Sequence, residues 1–195
     1  MTAPPMPLSG WRTVDVVVSA VLAVAFGVVF WQWGVVWAPL FLGAVNPLAY
    51  LVSGVWLMPG VVAALVIRRP GAALLTETIA AIVSALLGSV WGLDTVASGI
   101  MQGAGAELVF ALTLYRSFGP VTAVIAGAGA AVGEWLHDMA FYYPGVAFDL
   151  QLAYGAFMVI SAAVIAGLGG WLLVRALART GVLNAFPSGR EQPEV

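Results

Sequence analysis

The sequence predicts an all-α, polytopic membrane protein, a bundle of six transmembrane helices with both termini cytoplasmic. Three observations predict it. Of 195 residues, 62% are hydrophobic and only 8% charged, against roughly 25% charged in soluble domains. The apolar residues fall into stretches long enough to cross a bilayer, which takes about 20 residues each. The basic residues, all seven of them arginine, lie where alternate loops would share one side. Arg12 precedes the first stretch, Arg68 and Arg69 follow the second, Arg116 follows the fourth, and Arg175, Arg179 and Arg190 close the last. The intervening turns carry only Asp94 and Asp149. Arginine is retained on the cytoplasmic side, so this alternation sets both the number of spans and their orientation.

Composition excludes several classes. Six spans consume most of the chain and leave no room for a soluble catalytic domain. A net charge of -2 with segregated arginines offers no basic surface for nucleic acid. Zero cysteines rule out disulfides, thiolate metal sites and cysteine nucleophiles. The start, MTAPPMPLSGWR, has no cleavable signal pattern, and its first apolar stretch is long enough to stay as a span. Residues 1–12 read as a cytoplasmic segment, 13–180 as the membrane domain and 181–195 as a cytoplasmic tail, polar and without order from Pro187.

The spans are expected at about 13–33, 45–67, 71–90, 95–116, 119–142 and 151–177. In the first, Ser19, Ala23 and Gly27 make a stripe of small residues, which lets another helix approach closely in lipid. That neighbour is either a span of this chain or a partner subunit. The link 34–44 contains Pro39 and flanking glycines, and reads as an irregular outer loop packed over the bundle. Trp31, Trp33 and Trp37 cluster there, as an interfacial belt or as a lid over a ligand. Pro47 and Pro59 predict a bent or broken second span. Arg68-Arg69-Pro70-Gly71 makes a tight cytoplasmic turn. Outer turns fall around Trp91–Asp94 and Tyr143–Gly145. Gly181 ends the last helix as a left-handed cap. The chain shows no internal repeat, against a self-sufficient carrier of the inverted-repeat kind.

Ionisable residues inside a membrane mark function by default. Span 5 carries Glu134, Asp138 and Tyr142 at i, i+4 and i+8, with His137 three after Glu134, all on one stripe. These groups need a cavity or polar partners. His137 either serves a ligand or neutralises its carboxylate neighbours in a packed network. Span 4 carries Gln102 at the same depth and Glu107 deeper, within a glycine-rich stretch. Gln102 suits ligand hydrogen bonding, whereas Glu107 is either a ligand group or a buried structural carboxylate. Glu77, near the arginine turns, suits an ion pair or an interface. No phosphate-cradling GxxxxGK[ST] loop and no HExxH helix is present, so no ATP site, bound cofactor or tight transition-metal cage is expected. Glu134, His137 and Asp138 leave room for a loosely held hard cation.

Three segments carry a family resemblance: Arg69-Pro70-Gly71-Ala72-Ala73-Leu74 with Glu77 and Ala80-Ala81; Gly99-Ile100-Met101-Gln102-Gly103-Ala104-Gly105-Ala106-Glu107 with Val109-Phe110; and Thr180-Gly181-Val182-Leu183-Asn184. Together the chain resembles the YkoE-type S components of energy-coupling-factor (ECF) transporters, over nearly its whole length. The resemblance implies a substrate-capture subunit for thiamine or its hydroxymethylpyrimidine precursor. It implies a transmembrane coupling protein and cytoplasmic ATP-binding subunits as partners, with Ser19, Ala23 and Gly27 docking the former. Members of this group have been labelled cobalt permease components, a label this ligand set argues against.

The side chains agree with such a substrate. A carboxylate can pair with the fixed cation of thiamine, and a carboxyl with an amide can hold the pyrimidine edge. Tryptophan faces offer stacking and cation–π attraction, with Trp37, Trp56, Trp91 and Trp135 as candidates. The ligand is expected between spans 4, 5 and 6, oriented by Gln102, Glu134, His137 and Asp138. Two rivals stand beside this reading: a proton- or cation-coupled carrier acting alone through Glu107, Glu134 and Asp138, and a membrane enzyme using span 5 as acid and base.

Overall fold

The structure is a computed structural model that describes residues 10–41 and 46–190. Its regular structure is helical among those residues. Helix α1 runs Thr13–Phe41, and a 3-10 segment, Pro47–Leu57, continues into α2, Met58–Ile67. Helices α3, Ala72–Leu86, α4, Asp94–Leu112, and α5, Pro120–Phe141, follow. Helix α6, Phe148–Ala162, passes through a π-helical stretch, Ala163–Gly169, into α7, Gly170–Arg179, and a short α8 covers Pro187–Arg190. Thr13–Phe41, Pro47–Ile67, Asp94–Leu112 and Phe148–Arg179 are long and apolar enough to cross a membrane. Helix α3 is apolar but has only 15 residues. Helix α5 has 22 but carries Glu134, His137 and Asp138.

The first helix corrects the expected loop. Residues 34–41 continue α1 with Pro39 inside it, while 42–44 lie outside the described residues. Pro39 falls in the last turn, where it removes one helical N–H bond, that to the Val35 carbonyl. Gly34, Trp37 and Ala38 are buried there, and their packing offsets it. The second span breaks as its prolines predict. Pro47 opens the 3-10 segment and Pro59 sits in the first turn of α2, positions that need no helical N–H.

The arginine-bearing segments meet at one end of the bundle. Trp11 Nε1 donates to the Pro70 carbonyl at 3.0 Å, and Arg12 reaches the Ala185 carbonyl at 3.3 Å. Buried Asp15 pairs with Arg12 at 2.6 Å and Arg69 at 3.6 Å. The turn after α2 holds Arg68 at φ 55 and Gly71 at φ 86, and Gly181 ends the last long helix at φ 81. Residues 187–190 correct the expectation of a tail without order from Pro187: they form α8, whose Ser188 is buried and donates to the Val66 carbonyl at 3.3 Å.

Small residues set the helix spacing. Ser19 and Thr76 share a hydroxyl hydrogen bond of 2.8 Å, and Ala23 is fully buried. A Cβ on Gly27 would lie 2.5 Å from Val83 Cβ. The stripe Ser19, Ala23 and Gly27 therefore packs on α3 of the same chain. This corrects the expectation that it docks a partner, because close helix approach uses the same small residues in either setting. Helices α4 and α5 approach closest at Gly105 and Gly133, where an added Cβ would lie 2.2 Å from the carbonyl oxygens of Gly129 and Met101.

Candidate functional site

A cavity of about 910 Å³, part of it open to solvent, lies at the end of the bundle opposite the arginines. Its walls come from α1, the 3-10 segment, Ser84 of α3, the α3–α4 turn, α4, α5 and Tyr142–Tyr143 after it, and only Met158 of α6 reaches it. The expected placement between spans 4, 5 and 6 is corrected accordingly. The 3-10 segment takes the place expected of span 6, because Gly54 packs against the Ser161 carbonyl, with a would-be Cβ at 2.6 Å. Ser161 ties it down further, accepting from Gly54 N–H at 2.9 Å and donating to the Leu51 carbonyl at 2.8 Å.

Gln102, Glu134, Asp138, Tyr142, Trp37, Trp56 and Trp91 all line this cavity. Ser98 Oγ lies 2.7 and 2.8 Å from the two oxygens of Glu134, to which it donates. It accepts from Gln102 Nε2 at 2.8 Å. That leaves Gln102 Oε1 buried with no partner among the described residues. A buried carbonyl without a donor costs about 1–3 kcal/mol, which a ligand N–H would relieve. Asp138 accepts from Tyr50 O–H at 2.9 Å, and Tyr50 also lies 3.2 Å from the Tyr143 hydroxyl.

The tryptophans form one aromatic wall. Ring centroids of Trp37, Trp56 and Trp91 lie 5.5 to 5.8 Å apart. The indole N–H groups of Trp37 and Trp56 already donate to the carbonyls of Ala49 and Phe30. These two therefore offer ring faces and edges to a ligand. Trp135 stands outside, donating to the Gln151 carbonyl at 2.8 Å and packing on Gly155.

Two residues expected in the site lie elsewhere. His137 is buried behind the cavity wall, with Nε2 3.4 Å from Asp94 and Nδ1 3.6 Å from Asp138. Asp94 also accepts from the Tyr142 hydroxyl. His137 thus joins the packed network of Asp94 and Asp138 rather than the lining. It still stands close enough to Glu134 and Asp138 that donor atoms of all three lie within 4.8 Å of one another, a spacing that can hold a cation.

Glu107 accepts from the N–H groups of Gly71, Ala73 and Leu74 at 2.6, 2.9 and 3.3 Å, and from Tyr115 O–H at 2.7 Å. It caps α3 and is removed from the substrate-binding set, because orphan amides at a helix start draw a carboxylate strongly. Replacing it with alanine is expected to cost about 1–2 kcal/mol, as other lost caps do. An unfolding midpoint equal to that of the parent protein would contradict the cap. Glu77 plays the same part for α2, accepting from Gly60 N–H at 2.6 Å while 1% exposed. It serves the break in the second span instead of the ion pair with arginine that its position in sequence suggested.

Sequence reasoning missed Tyr50, Ser53, Ser98, Asp94 and Tyr143. Ser98 had a signal, since it lies one helical turn before Gln102. Tyr50 and Tyr143 had none, because their meeting depends on how the 3-10 segment lies across α5.

By fold and site, this is a membrane transport component: an apolar helical bundle holding a tryptophan-walled cavity that carboxyl, amide and hydroxyl side chains also line. A family described as "ABC-type cobalt transport system, permease component" matches residues 14–133. The chain is similar to "Putative HMP/thiamine permease protein YkoE" of Bacillus subtilis (strain 168), at 36% identity over 193 residues, covering 94% of this chain and 93% of that protein. A solved structure described as "Crystal structure of an S-component of ECF transporter" shares its fold at a TM-score of 0.86 and 35% identity, covering 93% of each chain. The chain belongs to this family of YkoE-type ECF S components, which are transport proteins and not enzymes.

Proposed function

We propose that the chain captures thiamine or its hydroxymethylpyrimidine precursor for ATP-driven uptake by a partner coupling module. The observation that carries this reading is the cavity itself. It gathers the carboxyl groups of Glu134 and Asp138, the Gln102 carbonyl that has no partner among the described residues, and the tryptophan wall around one chamber. The amino group of an aminopyrimidine can donate to Gln102 Oε1. The thiazolium cation finds two carboxylates and aromatic faces in the same chamber. The name of the Bacillus subtilis relative supports the substrate class. In this reading the arginine end faces the cytoplasm with both termini, the chain crosses the plasma membrane several times, and the cavity opens outward.

A metal reading has two supports, the family description and the closeness of Glu134, His137 and Asp138. One titration separates them. Purified protein titrated with thiamine should show saturable tryptophan quenching at nanomolar to low micromolar ligand, competed by hydroxymethylpyrimidine. Silence towards both compounds, with saturable quenching by Co²⁺ in folded protein, would transfer the assignment to a divalent cation.

A further inference from the structure

At the arginine end lies a second pocket, of about 850 Å³ including open space, lined by Arg68, Arg116 and Arg175 and by no acidic side chain among the described residues. Two of the guanidinium groups are steadied by rings. Arg68 stacks over Phe118 at 4.8 Å, and Arg175 over Trp171 at 4.7 Å. Stacking uses the guanidinium face of Arg175 and leaves its N–H edge for an oxyanion, whereas Arg68 Nε also donates to the Leu65 carbonyl at 3.4 Å. Arg116 and Arg175 are exposed and make no ion pair with any described residue. The uncapped N-terminus of α5, at Gly119 and Pro120, adds its positive end to the same wall.

We propose that this pocket binds the headgroup phosphate of an anionic phospholipid. The apolar surroundings favour a lipid over a soluble anion. Leu65, Phe118, Trp171 and Val174 share the lining with the arginines. Next to it, Val121 is 70% and Leu172 52% exposed, a surface on which acyl chains can continue downward from the phosphate. Basic pockets between membrane helices bind phosphorylated lipid headgroups through this combination of charge and apolar wall.

The test uses full-length protein in bilayer nanodiscs with brominated acyl chains, reading quenching of tryptophan fluorescence. Brominated phosphatidylglycerol diluted into phosphatidylcholine should quench more than equally dilute brominated phosphatidylcholine. Arg116→Gln and Arg175→Gln should each lower that preference by about fivefold, the order expected for one basic residue near an anionic surface. Arg179→Gln, outside the pocket, should leave it intact. Loss of quenching by phosphatidylglycerol on addition of millimolar inorganic phosphate at constant ionic strength would make this a site for free phosphate and overturn the lipid assignment. Equal quenching by both lipids, or an Arg179→Gln effect as large as that of Arg175→Gln, would overturn the pocket as a site. Circular dichroism melting of each variant separates lost binding from lost folding.

Discussion

Asp138→Asn weakens thiamine binding by well over tenfold, in line with about 1.5–3 kcal/mol for a buried charged hydrogen bond. The carboxylate lines the cavity, and Tyr50 holds one of its oxygens at 2.9 Å. Asparagine keeps the shape and can still accept from Tyr50, so the fold should survive. What disappears is the negative charge. Hydroxymethylpyrimidine lacks the fixed cation of thiamine, which turns the variant into a probe of what Asp138 does. A loss confined to thiamine assigns Asp138 to the cation. An equal loss for both ligands assigns it to the pyrimidine edge. Wild-type affinity for both removes it from the site. Isothermal titration with each ligand reads the three outcomes.

Gly105→Val should lower stability by at least about 1–3 kcal/mol, the usual range for overpacking. The first added carbon would already lie 2.2 Å from the Gly129 carbonyl oxygen and 3.1 Å from Ala130 Cα. Both contacts are backbone, so no side chain can swing aside. The helices must separate, and α4 and α5 together carry Gln102, Glu134 and Asp138. The variant should therefore lose ligand affinity along with thermal stability. Gly145→Ala makes the control, since a Cβ there would meet nothing within 4 Å. A change within about 0.5 kcal/mol is expected at such a surface site. Equal unfolding midpoints for Gly105→Val and the parent protein would show that the α4–α5 crossing tolerates a wider gap.

Much of the site was legible because helical periodicity is local. Glu134, Asp138 and Tyr142 share a face by spacing alone, and the structure turns that face to the cavity. Glu107 could not be separated from them by such reasoning. It is a carboxylate among small residues, as Glu134 is, and only the amides of Gly71, Ala73 and Leu74 mark its task. Ser19, Ala23 and Gly27 misled for a related reason. A small-residue stripe states that a helix lies close, and it does not say which helix.

The amino-acid sequence by itself determined the all-helical membrane class, the break at Pro47 and Pro59, the gathering of arginines at one end and the polar stripe of α5. Each follows from hydropathy, backbone chemistry or a period of a few residues, which no distant contact can reverse. Only the tertiary structure decided that α1 continues through Pro39 and that the 3-10 segment, rather than α6, closes the cavity. It alone turned Glu77 and Glu107 into helix caps and set His137 behind the wall. These outcomes depend on which helices touch, and in lipid that is chosen by the fit of small residues and the demand of buried polar groups for partners across the chain.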